Sequence, residues 1–472
     1  MDRKNVTRRG LLRFGLGLTG LVAVTTACGQ PVATASPTTA PAAPTAAAPA
    51  ANPTATSAPA AAANPGSAAA VEIQVSTRGA GDGTIMVKTA DTFSKQMGNI
   101  KVTHVSYGPE PDYWTKVETN FATKQLADVV WASTGNLLNF ANRSILGPLD
   151  DIIKGDGYDL SDYVQNALAS LSLKGKLYAM PWGSHPGNGG LTYNATMLNA
   201  AGFANVTDDA NSILDWTYDT LMDAAIKTTK RSGDQVQVYG YLPGTDYLSL
   251  GNVLGAFGAD FLNADGTKLT MDAPEFLKAM TWVYDVFVTN KASPAPGANG
   301  DMLFDSQKLA MELTQYAGQF QPGINPPDLF KWNDSLQPKG PAGKRGTHLT
   351  INGQAMSALT KHQKEAWTFI KYLMDPAQNV QIVLANGGRP AARHAVLESP
   401  ILIEKMKAQK TWAMAIESAE PWRRPANFRW PEFNTTVQQA FADCWVGKQT
   451  IEQALPGATK LLQAVVDKPA AT

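Results

Sequence analysis

The chain has 472 residues, enough for two or three compact units with ample core once a low-complexity stretch near its start is set aside. Lysine plus arginine and aspartate plus glutamate number 40 each, so charge gives no support for nucleic acid or an acidic surface as partner, and a neutral partner is expected. Cys28 and Cys444 are the only cysteines, too few for a thiolate metal cluster, and neither a metal nor another cofactor is expected.

The first element in chain order is an address. Thr7-Arg8-Arg9-Gly10-Leu11-Leu12-Arg13 sets paired arginines before an apolar run, Leu11 to Val24, that is too short and glycine-rich to span a bilayer. Residues 1–27 are expected to be a twin-arginine-type lipoprotein signal peptide. Cys28 follows small residues as in a bacterial lipobox, with Thr25 where leucine is usual, and is expected to be lipidated; an ordinary small residue in a cleaved leader is the alternative. Residues 28–70 are almost wholly Ala, Pro, Thr and Ser, without the aromatic and branched side chains that offset ordering entropy. They read as a disordered tether that holds an extracytoplasmic body near the cell membrane.

From Val71 the pattern becomes globular. Val71-Glu72-Ile73-Gln74-Val75 alternates like a strand, a turn with Gly79, Gly81 and Gly83 follows, and Met86, Ala90, Phe93 and Met97 share one helix face. Ile100 to Val105 alternates again. A helix with Trp114, Val117 and Phe121 at helical spacing then leads to Ala127-Asp128-Val129-Val130-Trp131, which reads as a buried parallel strand. Repeated strand, helix, strand order implies a parallel sheet with helices on both faces and ligands beyond the carboxyl ends of its strands. The middle of the chain reads as another lobe, with a tight turn at Asn263-Ala264-Asp265-Gly266-Thr267. After Lys361 the first pattern returns: Ala366, Phe369, Ile370 and Leu373 share a face, and Asp375-Pro376 starts a further helix. Cys444, between Ala442 and Trp445 on a helical stretch, reads as a buried apolar residue.

Several segments together resemble a known family. They are Leu126-Ala127-Asp128-Val129-Val130-Trp131-Ala132-Ser133, then Gly175-Lys176-Leu177-Tyr178-Ala179-Met180-Pro181-Trp182 running into Leu191-Thr192-Tyr193-Asn194, and Lys364-Glu365-Ala366-Trp367-Thr368-Phe369-Ile370-Lys371-Tyr372-Leu373. With Leu309-Ala310-Met311 before Tyr316, and Gly447 to Leu455 near the end, their order resembles the extracellular solute-binding proteins of bacterial ABC importers, in the sugar-binding branch. The resemblance implies an α/β, two-lobed periplasmic-binding-protein-like type II fold, with discontinuous lobes, central mixed sheets and hinge crossings. By position, residues 71–180 and 352–397 would form lobe 1, and 181–351 and 398–472 lobe 2. It further implies a monomer that is not an enzyme and that passes a carbohydrate to the importer's transmembrane subunits.

A neutral sugar needs hydrogen-bonding side chains around its rim and aromatic faces against its C–H patches. Carried over by position, the first lobe would contribute Arg78, Asp82, Trp131, Ser133 and Thr134, with Glu110 and Tyr113 as additions; Trp131 also reads as a core residue at a strand end. The loop Pro181 to Gly190 would be both hinge and site, through Trp182, Ser184, His185 and Asn188. His185 reads as a hydrogen-bonded loop histidine, because no second histidine or cysteine lies at ligand spacing. The second lobe would add Tyr247, Tyr316 and one of Trp422, Trp430 and Phe433. The acidic residue that maltodextrin binders carry in the first crossing has no counterpart here. Arg423-Arg424 reads first as a solvated basic turn; facing the cleft, the pair would suit a polyol phosphate or an acidic sugar.

Other classes find less support. Gly15-Leu16-Gly17-Leu18-Thr19-Gly20 spells a dinucleotide fingerprint, but inside the leader and with no strand before it. An extracytoplasmic glycosidase would need two carboxyls flanking one bond, and no local pairing marks them. A surface lipoprotein without a ligand is the remaining alternative.

Overall fold

The computed structural model describes residues 70–79, 81–110, 112–187, 189–314, 330–386, 389–406 and 409–471. The expected leader, Cys28, the tether up to residue 69, Asn188 and Tyr316 lie outside the described residues, as does the side chain of Asp82. No helix among the described residues is long and apolar enough to cross a membrane.

Strands Val71–Thr77 and Ile100–Ser106 lie parallel, joined by helix Gly81–Met97. Ile73, Val75, Ile100 and Val102 alternate inward along the strands, and Met86, Ala90 and Phe93 cover them from the helix. Met97 continues that spacing but is exposed, because Gly98 turns left-handed (φ 68°) and ends the packed stretch. Val129–Ser133 pairs in parallel with the other side of Val71–Thr77. The long strand His348–Ser357 comes next, antiparallel to it, and Ala179–His185 pairs antiparallel with the far edge of His348–Ser357. Helix Gln363–Met374 buries Ala366, Phe369, Ile370 and Leu373 as its spacing requires, with the Phe369 and Phe93 rings 5.0 Å apart.

The second sheet has five strands, ordered Trp332–Leu336, Gly190–Asn194, Leu309–Thr314, Gln235–Leu242 and Lys230–Ser232. Its core draws on Leu191 to Met311 and again on Trp422 to Val465, where helices Trp430–Trp445 and Ile451–Val466 close it. Thr450 starts the last helix with a reciprocal capping box to Gln453. Cys444 is free and buried in this core, and burial pushes its thiol up to about 11. The molecule is thus two α/β lobes with separate mixed sheets, as the resemblance implies.

The crossings fall elsewhere than expected. Residues 181–185 belong to a strand of the first sheet, buried throughout, and the chain leaves that sheet only after His185. Gly183, Ser184 and His185 spell a loop, but their partner strand arrives from beyond the second lobe and turns them into sheet. Pro181 cannot donate to that ladder, and the register shifts beside it between Asn352 and Gly353. The return strand begins at His348 rather than 352, with Leu349 and Ile351 in the first core. Helices Pro400–Lys405 and Gln409–Ser418 also belong to that core, through Leu402, Trp412 and Ile416, so the last crossing lies at Glu420–Pro421 and not after Leu397.

Candidate functional site

Two groups of the expected residues come together, one within the first lobe and one between the lobes. Arg78 follows strand Val71–Thr77, and its Cζ lies 4.1 Å from the centre of the Trp131 ring. Its Nη1 is 2.8 Å from Glu110 Oε2, while Glu110 Oε1 accepts the indole N–H of Trp114 at 2.7 Å. Trp114 in turn stacks on Trp131, ring centres 5.1 Å apart. The Arg78–Glu110 pair is partly exposed and contributes only about 0–1 kcal/mol to stability, so its effect is to hold the guanidinium fork over the indole.

Beneath this group the expected contributors are structural. Tyr113 is fully buried and donates its hydroxyl to the Trp131 carbonyl at 2.8 Å; burial pushes its phenol far above the usual tyrosine range. Trp131 is 1 % exposed, sandwiched in the first core, which favours its reading as a strand-end core residue. Ser133 stays partly exposed at the strand end, and Thr134 is buried with its Oγ1 lacking a partner.

The stretch expected as an open loop behaves likewise. Trp182 is 7 % exposed and belongs to the first core, its carbonyl accepting from Asn379 Nδ2 at 3.2 Å. Ser184 is buried and gives its hydroxyl and its backbone N–H to the Pro390 carbonyl, both at 2.8 Å. His185 is buried with Nδ1 3.4 Å from the Gly187 carbonyl oxygen; burial, followed by the charges of Arg389 and Arg78, holds it well below the usual histidine range and therefore neutral.

In the second lobe Tyr247 opens helix Tyr247–Phe257 and is fully buried, its hydroxyl donating to the Arg423 carbonyl at 2.8 Å. It gathers Phe261, Trp422, Trp430 and Phe433 around it. Phe433 is fully buried, whereas Trp422 and Trp430, packed edge to face at 4.0 Å, line a cavity of about 360 Å³. The opposite wall comes from the first lobe: Gly135, Leu138, Asn139, Leu173 and Lys174. A Cβ on Gly135 would stand 3.4 Å from the Trp430 indole nitrogen, so the lobes nearly touch there. Ala264 and Asp265 add the second-lobe turn, where Asn263 Oδ1 accepts from the Thr267 and Lys268 N–H groups at 2.9 and 3.0 Å. Arg423 and Arg424 are only partly solvated, the Arg423 side chain being 37 % exposed and Arg424 half-buried. Both line this cavity, and Arg423 lies 3.4 Å from Asp260.

Sequence reasoning missed Trp114, Lys174 and Gln354. Trp114 shares helical spacing with core residues and so reads as core. Lys174-Gly175 marks only a turn, with Lys174 in the left-handed region at φ 52°. Gln354 sits opposite Trp131 in the central strand, fully buried, and neither its Oε1 nor its Nε2 finds a partner. In the sequence Thr350, Asn352 and Gln354 alternate with Leu349, Ile351 and Gly353 as on the solvent side of a strand, so no signal marked Gln354 as buried.

Solved structures share this architecture. An ABC substrate-binding protein from Listeria monocytogenes, in complex with cycloalternan, is 21% identical with a TM-score of 0.68, covering 84% of this chain and 99% of that one. A solute-binding protein from Thermotoga lettingae bound to α-D-tagatose is 21% identical at TM-score 0.67, covering 84% and 100%. One from Agrobacterium vitis with D-mannitol is 24% identical at TM-score 0.63, covering 84% and 98%. Residues 88–415 match the family model described as bacterial extracellular solute-binding protein, and the chain belongs to that family.

Proposed function

We propose that the chain captures a small carbohydrate or polyol between its lobes, chemically unchanged, and hands it to the transmembrane subunits of an ABC importer. The observation that carries this reading is the interlobe cavity walled by Trp422 and Trp430 on one side and by Gly135 and Asn139 on the other. Indole faces suit the C–H patches of a sugar, and a ligand touching both walls would favour the closed arrangement by its extra contacts. Sugar and polyol ligands in similarly folded proteins add support. Arg78, Asp82, Ser133, Thr134, Asn188 and Tyr316 remain proposed contributors, and reversible capture without catalysis, as a monomer, is part of the reading.

A thermal-shift panel of sugars, polyols, polyol phosphates and oligopeptides tests it. A ligand at a hundredfold excess over its Kd should raise stability by about 2.7 kcal/mol. A shift with peptides alone overturns the carbohydrate reading, and product formation during incubation favours a glycosidase instead. The proposal includes extracytoplasmic anchoring through lipidated Cys28, motivated by the leader and the tether sequence. Cys28→Ser should then release the protein into the soluble fraction, and unchanged membrane association would refute the anchor.

A further inference from the structure

Arg423 and Arg424 are neighbours in sequence with opposite electrostatic situations. Arg423 has an answer for its charge: Nε lies 3.4 Å from Asp260 Oδ2, and Nη1 donates to the Leu262 carbonyl at 3.0 Å. Arg424 has none. No carboxylate among the described residues comes within ion-pair distance of it, Nη2 reaches the Ser170 carbonyl only at 3.5 Å, and Nη1 is buried without any hydrogen-bond partner. Its Cζ lies 5.5 Å from the Trp422 ring, which covers it without neutralising it. Burial draws the guanidinium down to about 10, still cationic at neutral pH.

A guanidinium offers five N–H donors in a fixed fork, and one taken out of water without a counter-charge is costly. Arg424, half-buried with its Nη1 out of water, bears part of that cost on the wall of a cavity that is large enough for a small ligand. The indole N–H of Trp422 on the same wall is buried, with the Tyr247 hydroxyl as its polar neighbour. Lys174 adds a second cation from the other lobe, and Asp265 is the sole carboxylate among the described residues lining the space. With Arg423 answered by Asp260, the wall carries an excess of positive charge and an unmet Arg424 N–H donor. A neutral hydroxyl would meet a donor and leave the charge.

We propose that this cavity is an anion subsite of the interlobe cleft, so that the captured solute carries a carboxylate or phosphate group, as in an acidic sugar or a polyol phosphate, received by Arg424 with Lys174 closing from the first lobe. The proposal rests on the reading of the chain as a solute receptor and names the chemistry of its solute. Turn 263–267 fixes the subsite: Gly266 accepts the Ala426 N–H at 2.9 Å, and a side chain there would collide with the Arg424 carbonyl. Gly266, at φ 67°, supplies both the left-handed turn and the close approach.

Calorimetric titration of the full chain with matched pairs tests this: D-glucuronate against D-glucose, D-galacturonate against D-galactose, glycerol 3-phosphate against glycerol, and D-glucitol 6-phosphate against D-glucitol. At least one anionic member should bind tenfold or more tightly than its neutral counterpart. Arg424→Gln should bring that ratio near one, and Arg424→Lys should keep part of it. A preference confined to the uronates assigns an acidic sugar, and one confined to the phosphates a polyol phosphate. If Arg424→Gln does not fold, salt serves instead: affinity for the anionic member should fall several-fold between 20 and 200 mM NaCl while that of the neutral member holds. Equal affinities within every pair, or a preference that survives Arg424→Gln, overturn the subsite and leave the solute-receptor reading standing. Binding of oligopeptides alone overturns the subsite and the carbohydrate reading together.

Discussion

The dipeptide Pro-Trp occurs beside both the first and the last crossing, as Pro181-Trp182 and as Pro421-Trp422, and the two indoles are nearly equally buried, at 7 % and 6 % exposure. Around Trp182 the backbone and side-chain neighbours are answered by protein, although its own indole N–H is not: Asn379 takes its carbonyl, Ser184 bonds twice to Pro390, and the strand pairs along its length with His348–Ser357. Around Trp422 the chain runs from a two-residue strand into coil beside a cavity, with Arg424 unpaired. Burial therefore does not separate a scaffold tryptophan from a ligand wall. What separates them is whether a neighbouring charge already has a counter-charge, since Arg424 beside Trp422 has none.

That contrast can be broken. Trp182→Ala removes a large side chain from the first core and should cost about 3–5 kcal/mol of folding stability in a urea titration. Retained stability with lost ligand affinity would move Trp182 to the binding wall and erase the distinction. Trp430→Ala should act the other way, weakening binding of the ligand found in the panel by roughly 1–3 kcal/mol, with a smaller change in unfolding free energy. An effect confined to stability would make it a core residue like Phe433.

A pH series sharpens the scaffold side. His185 is held neutral by burial and by Arg389 and Arg78, so its folded pKa lies below its unfolded value near 6.5. The unfolded chain then binds the extra proton first. Stability from this group is present above about pH 6.5 and lost as pH falls below it, by at most about 1.4 kcal/mol at pH 5.5. His185→Gln should flatten that part of the profile. His348, also buried and shifted down, supplies a parallel loss that the variant leaves in place. An unchanged profile in His185→Gln would show that the imidazole is already solvated.

Much of the fold was legible because it is local. The alternation at Val71 to Val75, the helix face of Ala366, Phe369 and Ile370, and the turn at Asn263 each follow from spacing within a few residues. Residues 179–185 were not legible, since their secondary structure is set by a strand far along the chain, and local composition favoured a loop. The site divides in the same way. Aromatic residues near the last crossing could be counted, but which of Trp422, Trp430 and Phe433 meets the cavity depends on how helix Trp430–Trp445 lies against the second core. That Arg424 lacks the partner Arg423 finds in Asp260 is a fact of tertiary position, invisible in two adjacent identical letters.

The placement of His348–Ser357 also governs how this chain can assemble itself. The second sheet draws its strands from one continuous stretch, residues 190–336, whereas the first sheet needs a strand delivered only after that stretch has been made. Until it arrives, Val129–Ser133 and Ala179–His185 each present an unpaired, apolar edge. Emerging from the ribosome, the later-encoded sheet has its parts in hand first, and the N-terminal lobe waits for its middle strand. A truncation after about residue 345 would leave the first sheet split at its centre, two sticky halves in place of a receptor lobe.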